Sequence, residues 1–202
     1  MQLNNRQLFK LGKFYLSQGM NQRANSTNDC GPTSVAMTIN LILKQSNLRN
    51  KNISKKEVIT AIPPLGRLPD WIPLIGGASA AWGLAEAFNN LAHENQIQWQ
   101  AWRATHANSL FITRTLKKGG CLSILRIWKN GGAHWSNVVG FDLEKDSIYL
   151  LDPNPFLEHL PAYKKIQKEK WKTVKQDWER QPWWAKCLGI KKELIVYERT
   201  DK

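Results

Sequence analysis

Asn28-Asp29-Cys30-Gly31-Pro32-Thr33-Ser34-Val35-Ala36-Met37 is the stretch on which the reading of this chain turns. It puts a thiol at a turn just ahead of an apolar helix. Val35, Ala36, Ile39, Ile42 and Leu43 recur at helical spacing and define one apolar face. Asn28 and Asp29 are good capping residues, and Pro32 suits a first helical turn. Cys30 therefore stands where free amides and the positive end of the helix dipole favour an anion. A thiolate is stabilised in such a place, and the thiolate is the nucleophilic form of cysteine. The competing reading is a buried cysteine leading into a core helix.

A cysteine nucleophile needs a base, and the base needs a partner to orient it. His134 lies in Gly131-Gly132-Ala133-His134-Trp135-Ser136-Asn137-Val138-Val139-Gly140-Phe141-Asp142, a glycine turn leading into a strand that carries the histidine near its start. Asp146-Ser147-Ile148-Tyr149-Leu150-Leu151-Asp152-Pro153 reads as its hairpin partner, an apolar run that ends on Asp152 where Pro153 stops the strand. If the two strands pair antiparallel through a turn near Glu144-Lys145-Asp146, the start of the first lies opposite the end of the second. His134 and Asp152 then stand side by side, which favours the catalytic reading of Cys30.

The remaining histidines carry less. His93 ends a helical run, His106 precedes a helix start at Asn108-Ser109, and His159 falls in a loop. A structural or solvated role is the expectation for each. A zinc site is not expected either: there is no Cys-x-x-Cys or His-x-x-x-His, and Cys30, Cys121 and Cys187 are far apart.

Taken together these blocks resemble the papain-like cysteine peptidases of the bacteriocin-processing, double-glycine leader group, in the form of a free-standing relative. Gln22 followed by Asn28 to Ser34 resembles the nucleophile block. Gly76-Gly77-Ala78-Ser79 and the helix after it resemble the family's middle helix. Ser109 to Leu116 followed by Gly119-Gly120-Cys121-Leu122-Ser123-Ile124-Leu125 resembles its helix, glycine turn and central strand. His134 with Val138 to Asp142, Leu151-Asp152-Pro153, a Trp-bearing helix and the closing strand Glu193-Leu194-Ile195-Val196-Tyr197 complete the order.

The resemblance implies an α+β papain-like fold, with a helical part carrying Cys30 packed on an antiparallel sheet carrying His134 and Asp152. It implies a cysteine peptidase that forms a thioester, with no cofactor and no metal. The family also places a glutamine ahead of the cysteine, where it helps build the oxyanion hole. Gln22 is the match by position, with Gln18 as the alternative. Dedicated leader peptidases sit on a transporter with membrane helices and an ATPase. This chain has no Walker motif and no apolar stretch of spanning length, so a double-glycine leader does not follow as the substrate.

A chain of 202 residues is long enough for one domain with a sizeable core. The expected organisation is a single domain over 1–202, with 1–20 as an N-terminal extension and 160–202 as a basic helix plus the closing strand. Trp82, Trp99, Trp102 and Trp128 fall in apolar patterns, as core or cleft wall. Trp135 either shields the His134–Asp152 pair or packs on the sheet. Pro63 to Pro73 reads as an apolar, proline-rich loop, either a lid or packing over the first helices. Cys121 and Cys187 are expected to be packed, inert thiols.

Met1 to Met20 is polar and has no signal-peptide core, and an odd count of three cysteines offers no disulfide framework. A cytoplasmic setting is the expectation, with delivery by a carrier or a non-classical route left open. Charge is uneven. Residues 1–57 hold nine Lys/Arg against two Asp/Glu, 58–159 hold eight of each, and 160–202 hold twelve against six. The basic ends read either as a footprint for an acidic protein or anionic surface, or as a solvated helix face in which Lys164, Lys165, Lys168, Lys172 and Lys175 recur at helical spacing. The latter is favoured, because no nucleic-acid motif is present.

The expected partner is a peptide or protein substrate. Two other functions share the same residues: a deamidating or acyl-transferring effector on this fold, and a catalytically silent peptide-binding module.

Overall fold

The computed structural model describes residues 3–19, 28–46, 52–69, 77–130 and 132–200. Helix α2 (Cys30–Gln45) is buried on nearly every side from Cys30 to Asn40, not on one stripe alone. Its polar residues are tolerated because they have partners. Ser34 Oγ donates to the Trp135 carbonyl at 3.3 Å. The Asn40 side chain exchanges two hydrogen bonds with the main chain of Ile53. A helix sealed in this way fixes the position of its first residue.

Around α2 stand α1 (Asn5–Gly12), α3 (Lys55–Ala61) and α4 (Ala81–Glu94). The rest of the chain builds β1 (Trp99–Ala104), α5 (Ser109–Lys117), β2 (Cys121–Ile127), β3 (Ala133–Asp142), β4 (Ser147–Leu151), β5 (Ile166–Lys170), α6 (Trp171–Trp178), α7 (Trp183–Cys187) and β6 (Leu194–Arg199). The strands form one antiparallel sheet in the order β1-β6-β2-β3-β4-β5. Strand alternation splits the core in two. Leu125, Trp135, Ile195 and Tyr197 pack with α2 and α4. Leu122, Ile124, Val138, Ile148, Leu150, Leu194 and Val196 pack with Ile112 of α5 and Trp171, Val174 and Trp178 of α6.

Residues 3–19 are tied into the body. Leu3 is buried with Met37, Tyr149 and Leu151. Gly12 meets the Ala162 main chain so closely that a Cβ there would stand 1.8 Å from the Ala162 carbonyl oxygen, which only glycine allows. The continuous lysine-bearing helix expected over 164–175 is absent. A 3-10 turn (Ala162–Lys164) is followed by β5 and then α6, because Ile166 is buried and the segment pairs with β4. Exposed Lys168 and Lys170 on this edge strand guard it against pairing with other chains.

Candidate active site

The hairpin β3–β4 forms as the sequence predicts, and its register places the two polar residues. Asn137 pairs with Leu151, and the ladder carries a shift between Val138 and Gly140. Asp152 therefore follows the last pair, opposite Ser136, and His134 lies two residues further on the same face. His134 Nε2 is 2.8 Å from Asp152 Oδ1. Ser136 Oγ donates to Asp152 Oδ2 at 3.0 Å, and the Asn154 amide donates to Oδ1 at 2.8 Å. Asp152 is buried, which disfavours its charge. Its bonds to His134, the Asn154 amide and Ser136 outweigh this and hold the carboxyl below the usual range.

Cys30 opens α2 and is 8% exposed; His134 is 7% exposed, so both lie largely out of bulk water. Burial opposes the charged imidazolium of His134. Hydrogen bonds to Asp152 and Cys30, with the attraction of both groups, override it and raise the imidazole well above its usual 6.5. The imidazole thus has both the carboxylate and the thiol as partners. The helix is pinned to the strand that carries the histidine: Asn137 Nδ2 donates to the Ser34 carbonyl at 2.9 Å. The same carboxamide accepts from Ser123 Oγ at 2.6 Å, and Ser123 reaches the Tyr197 hydroxyl at 2.9 Å. This buried polar chain ties α2 to the sheet.

The structure decides or corrects several expectations. Of the two places open to Trp135, it takes the one away from the imidazole. It is buried with Cys30 and Leu84, and its indole N–H donates to the Ser79 carbonyl at 3.3 Å. Alternation sends it to the opposite face from His134. The ring on His134 is Trp128, from the β2–β3 loop, stacked at 5.4 Å between centroids and 18° between planes. Trp128 is 38% exposed, so it is not core. Trp82 and Trp102 are similarly exposed, and only Trp99 of the four is core. Cys187 is exposed, because the short α7 turns it outward. Cys121 packs on the core, and burial pushes its thiol up to about 12. His93, His106 and His159 are exposed, as expected.

Gln22 and the last part of the Pro63–Pro73 loop, residues 70–73, lie outside the described residues. Gln18 is described and is buried; its main-chain amide donates to the Pro153 carbonyl at 2.9 Å, directly beside Asp152. Tyr15 donates to the Asn154 carbonyl at 2.7 Å, so the segment before Gln18 also grips the acid loop. Asp29 takes the N-cap position of α2 but makes no capping bond with its side chain. Its carboxylate is held instead by Lys55 Nζ at 3.0 Å and Arg67 Nη2 at 2.7 Å. Ser136 was legible from alternation, two residues after His134. Trp128, Lys55 and Arg67 come from other segments, and no local spacing marks them. Among the described residues no group of three His, Cys, Asp or Glu is gathered to hold a metal ion. No helix among them is long and apolar enough to cross a membrane.

No protein-family model matches the chain, and no curated protein matches it in sequence. Among solved structures the chain is similar to a protein named as a C39-like peptidase from Bacillus anthracis, with 16% identity, 93% of this chain and 95% of that one covered, and a TM-score of 0.54. It is similar also to the peptidase domain of Streptococcus ComA, a bi-functional ABC transporter involved in quorum sensing, with 15% identity, 91% and 96% coverage, and a TM-score of 0.51. The chain thus has the α+β papain-like fold of the C39-type peptidases.

Proposed function

We propose that this protein is a cysteine peptidase that hydrolyses peptide or amide bonds through Cys30, His134 and Asp152. The observation that carries the reading is His134: one ring nitrogen on Asp152 at 2.8 Å, with a second hydrogen bond to the thiol at the start of α2. In this reading the Cys30 thiolate attacks the scissile carbonyl carbon. His134, charged, donates its Nδ1 proton to the leaving amine, and a thioester remains. The neutral imidazole then takes a proton from water, hydroxide attacks the thioester, and the acid product leaves as the thiolate reforms. Asp152 keeps the ring oriented and stabilises its charged form. No cofactor enters this scheme.

The tetrahedral oxyanion requires donors. The Cys30 amide at the open start of α2 supplies one. Gln18 is the better partner for it than Gln22, since its main chain is fixed beside Asp152. Substrate is a peptide or protein segment laid across the cleft between α2 and the β3 start, with Trp128 as one wall.

The test is an activity-based thiol probe on the full chain, followed by mass spectrometry of a treated peptide library. Labelling of Cys30 that requires His134, with cleavage fragments, is the expected result. A gain of one dalton on glutamine without fragments assigns a deamidase. Labelling that ignores His134→Ala removes the catalytic reading and leaves a binding module.

A further inference from the structure

Aspartate is among the best helix N-caps, and Asp29 stands at the N-cap of α2 without acting as one. Sequence explains half of this. A capping side chain bonds the N–H of the second or third helical residue. In α2 these are Gly31 and Pro32, and proline has no N–H. One amide target remains for the carboxylate, beside the amide of Cys30. A carboxylate drawn there would cancel the positive end of the helix where a thiolate and an oxyanion need it.

The structure supplies the other half. Lys55 and Arg67 hold the Asp29 carboxylate in place of the helix amides, at 3.0 and 2.7 Å. Both cations are rigidly presented. Lys55 opens α3, whose capping box joins Ser54 and Glu57. Arg67 lies in a segment bridged to Ser79, with main-chain bonds between Leu68 and both Gly77 and Ala78. The Asp29 side chain is 14% exposed and Arg67 13%, so that pair is largely withdrawn from water, while Lys55, at 31%, stays partly in contact with it. Buried ion pairs of this kind are poor sources of stability, because desolvation offsets attraction. The two cations leave the carboxyl of Asp29 ionised, despite a burial cost that is its largest single influence. Lys55 also reaches beyond Asp29, since its ammonium donates to the Gln18 carbonyl. Gln18 in turn holds Pro153. One ammonium therefore joins the residue before the nucleophile to the strap beside the acid.

Resting on the cysteine-peptidase reading, we infer that Lys55, with Arg67, is a positioning device that keeps the Asp29 carboxylate off the first turn of α2 and so leaves the anion-binding amides open. Lys55 touches no reacting atom. It acts through Asp29 and through the Gln18 main chain.

The experiment uses the full chain carrying Cys187→Ser, with p-nitrophenyl acetate as the probe. Cys30 attacks the acetyl carbon, the S–C bond forms, the ester C–O bond breaks, and p-nitrophenolate leaves with the electron pair. The acylation burst is followed at saturating and limiting ester. Lys55→Met is expected to lower the maximal acylation rate about tenfold, with half-saturation unchanged within about twofold. Lys55→Arg retains the rate. Adding Asp29→Asn to Lys55→Met restores it to within about threefold of the parent, since a neutral carboxamide no longer cancels the helix end.

Two results overturn the inference: Lys55→Met acylating like the parent, or the double variant acylating more slowly than Lys55→Met alone, which marks a merely structural role. A separate arm guards the reading beneath it. If His134→Ala acylates as fast as the parent, the triad itself is refuted, and the clamp with it. Circular dichroism and thermal melts on each variant separate misfolding from these outcomes, and Arg67→Met repeats the test should Lys55→Met fail to fold.

Discussion

The two sides of the cleft are built by different kinds of interaction. On the histidine side, main-chain register does the placing: a short hairpin brings His134 to Asp152, Ser136 and the Asn154 amide add local bonds, and the distant Gln18 and Tyr15 only steady the loop that follows. On the cysteine side, long-range side-chain contacts do it: Lys55 and Arg67 on Asp29, and Asn137 on Ser34, drawn from segments far apart in sequence. A hairpin is a local solution, robust to change elsewhere. A helix start pinned by distant side chains is vulnerable at every pin.

The largest expected effect breaks the histidine side at its centre. Asp152→Asn should keep the fold and lower turnover by about 10⁴, because the imidazole loses the partner that orients and charges it. Steady-state kinetics check this. Asp142 is not a substitute, since it sits at the far end of β3 and accepts from the Lys145 amide.

Next in size is the oxyanion donor. Gln18→Ala should reduce turnover by about 10²–10³ while Cys30 stays alkylatable, with Gln22→Ala near normal. The opposite result returns the donor role to Gln22.

On the cysteine side, Asn137→Leu removes the pin between β3 and α2 and leaves the Ser34 carbonyl and Ser123 hydroxyl without it. The cost is about 1–3 kcal/mol, which lowers the melting temperature by roughly 2–12 °C for a domain of this size. Calorimetry reads this directly, and an unchanged Tm would show that the pin contributes nothing.

Smaller still is Trp128→Leu. The stacked indole favours the imidazolium, and its loss is worth about 0.5–1 kcal/mol, under one pH unit. The alkaline limb of kcat/KM reports loss of the His134 proton. That limb should lie well above the ordinary histidine range in the parent, because the folded value is raised, and should move down in the variant. The same sign holds for stability: the contribution of charged His134 is fully present below 6.5 and is lost as pH rises through the raised folded value.

The smallest effect belongs to the basic surface. Reversing Lys168, Lys172 and Lys175 together should leave hydrolysis of a short neutral peptide unchanged, and any change with an acidic protein should fade with salt.

What was legible follows the same division. Cys30, His134 and Asp152 could be read because helix starts and hairpin registers are local patterns. The partner of Asp29 could not, since nothing near Lys55 or Arg67 announces which carboxylate each will meet. Trp135 stays open in sequence because adjacency to His134 suggests a shared face, whereas strand alternation turns neighbours apart. The lysine-rich segment misleads for a related reason: helical spacing of charges also fits an edge strand followed by a short helix, and burial of Ile166 decides between them.

Strand β6 (Leu194–Arg199) sits inside the sheet, between β1 and β2, although it is made after every other strand. Ile195 and Tyr197 complete one core, and Leu194 and Val196 the other. During synthesis, then, thiol, imidazole and carboxylate all exist well before either core can close. The site is assembled late, by a long-range pairing of the kind that folds slowly. Both cores, and with them the seating of α2 and α4 on the sheet, wait on that one insertion.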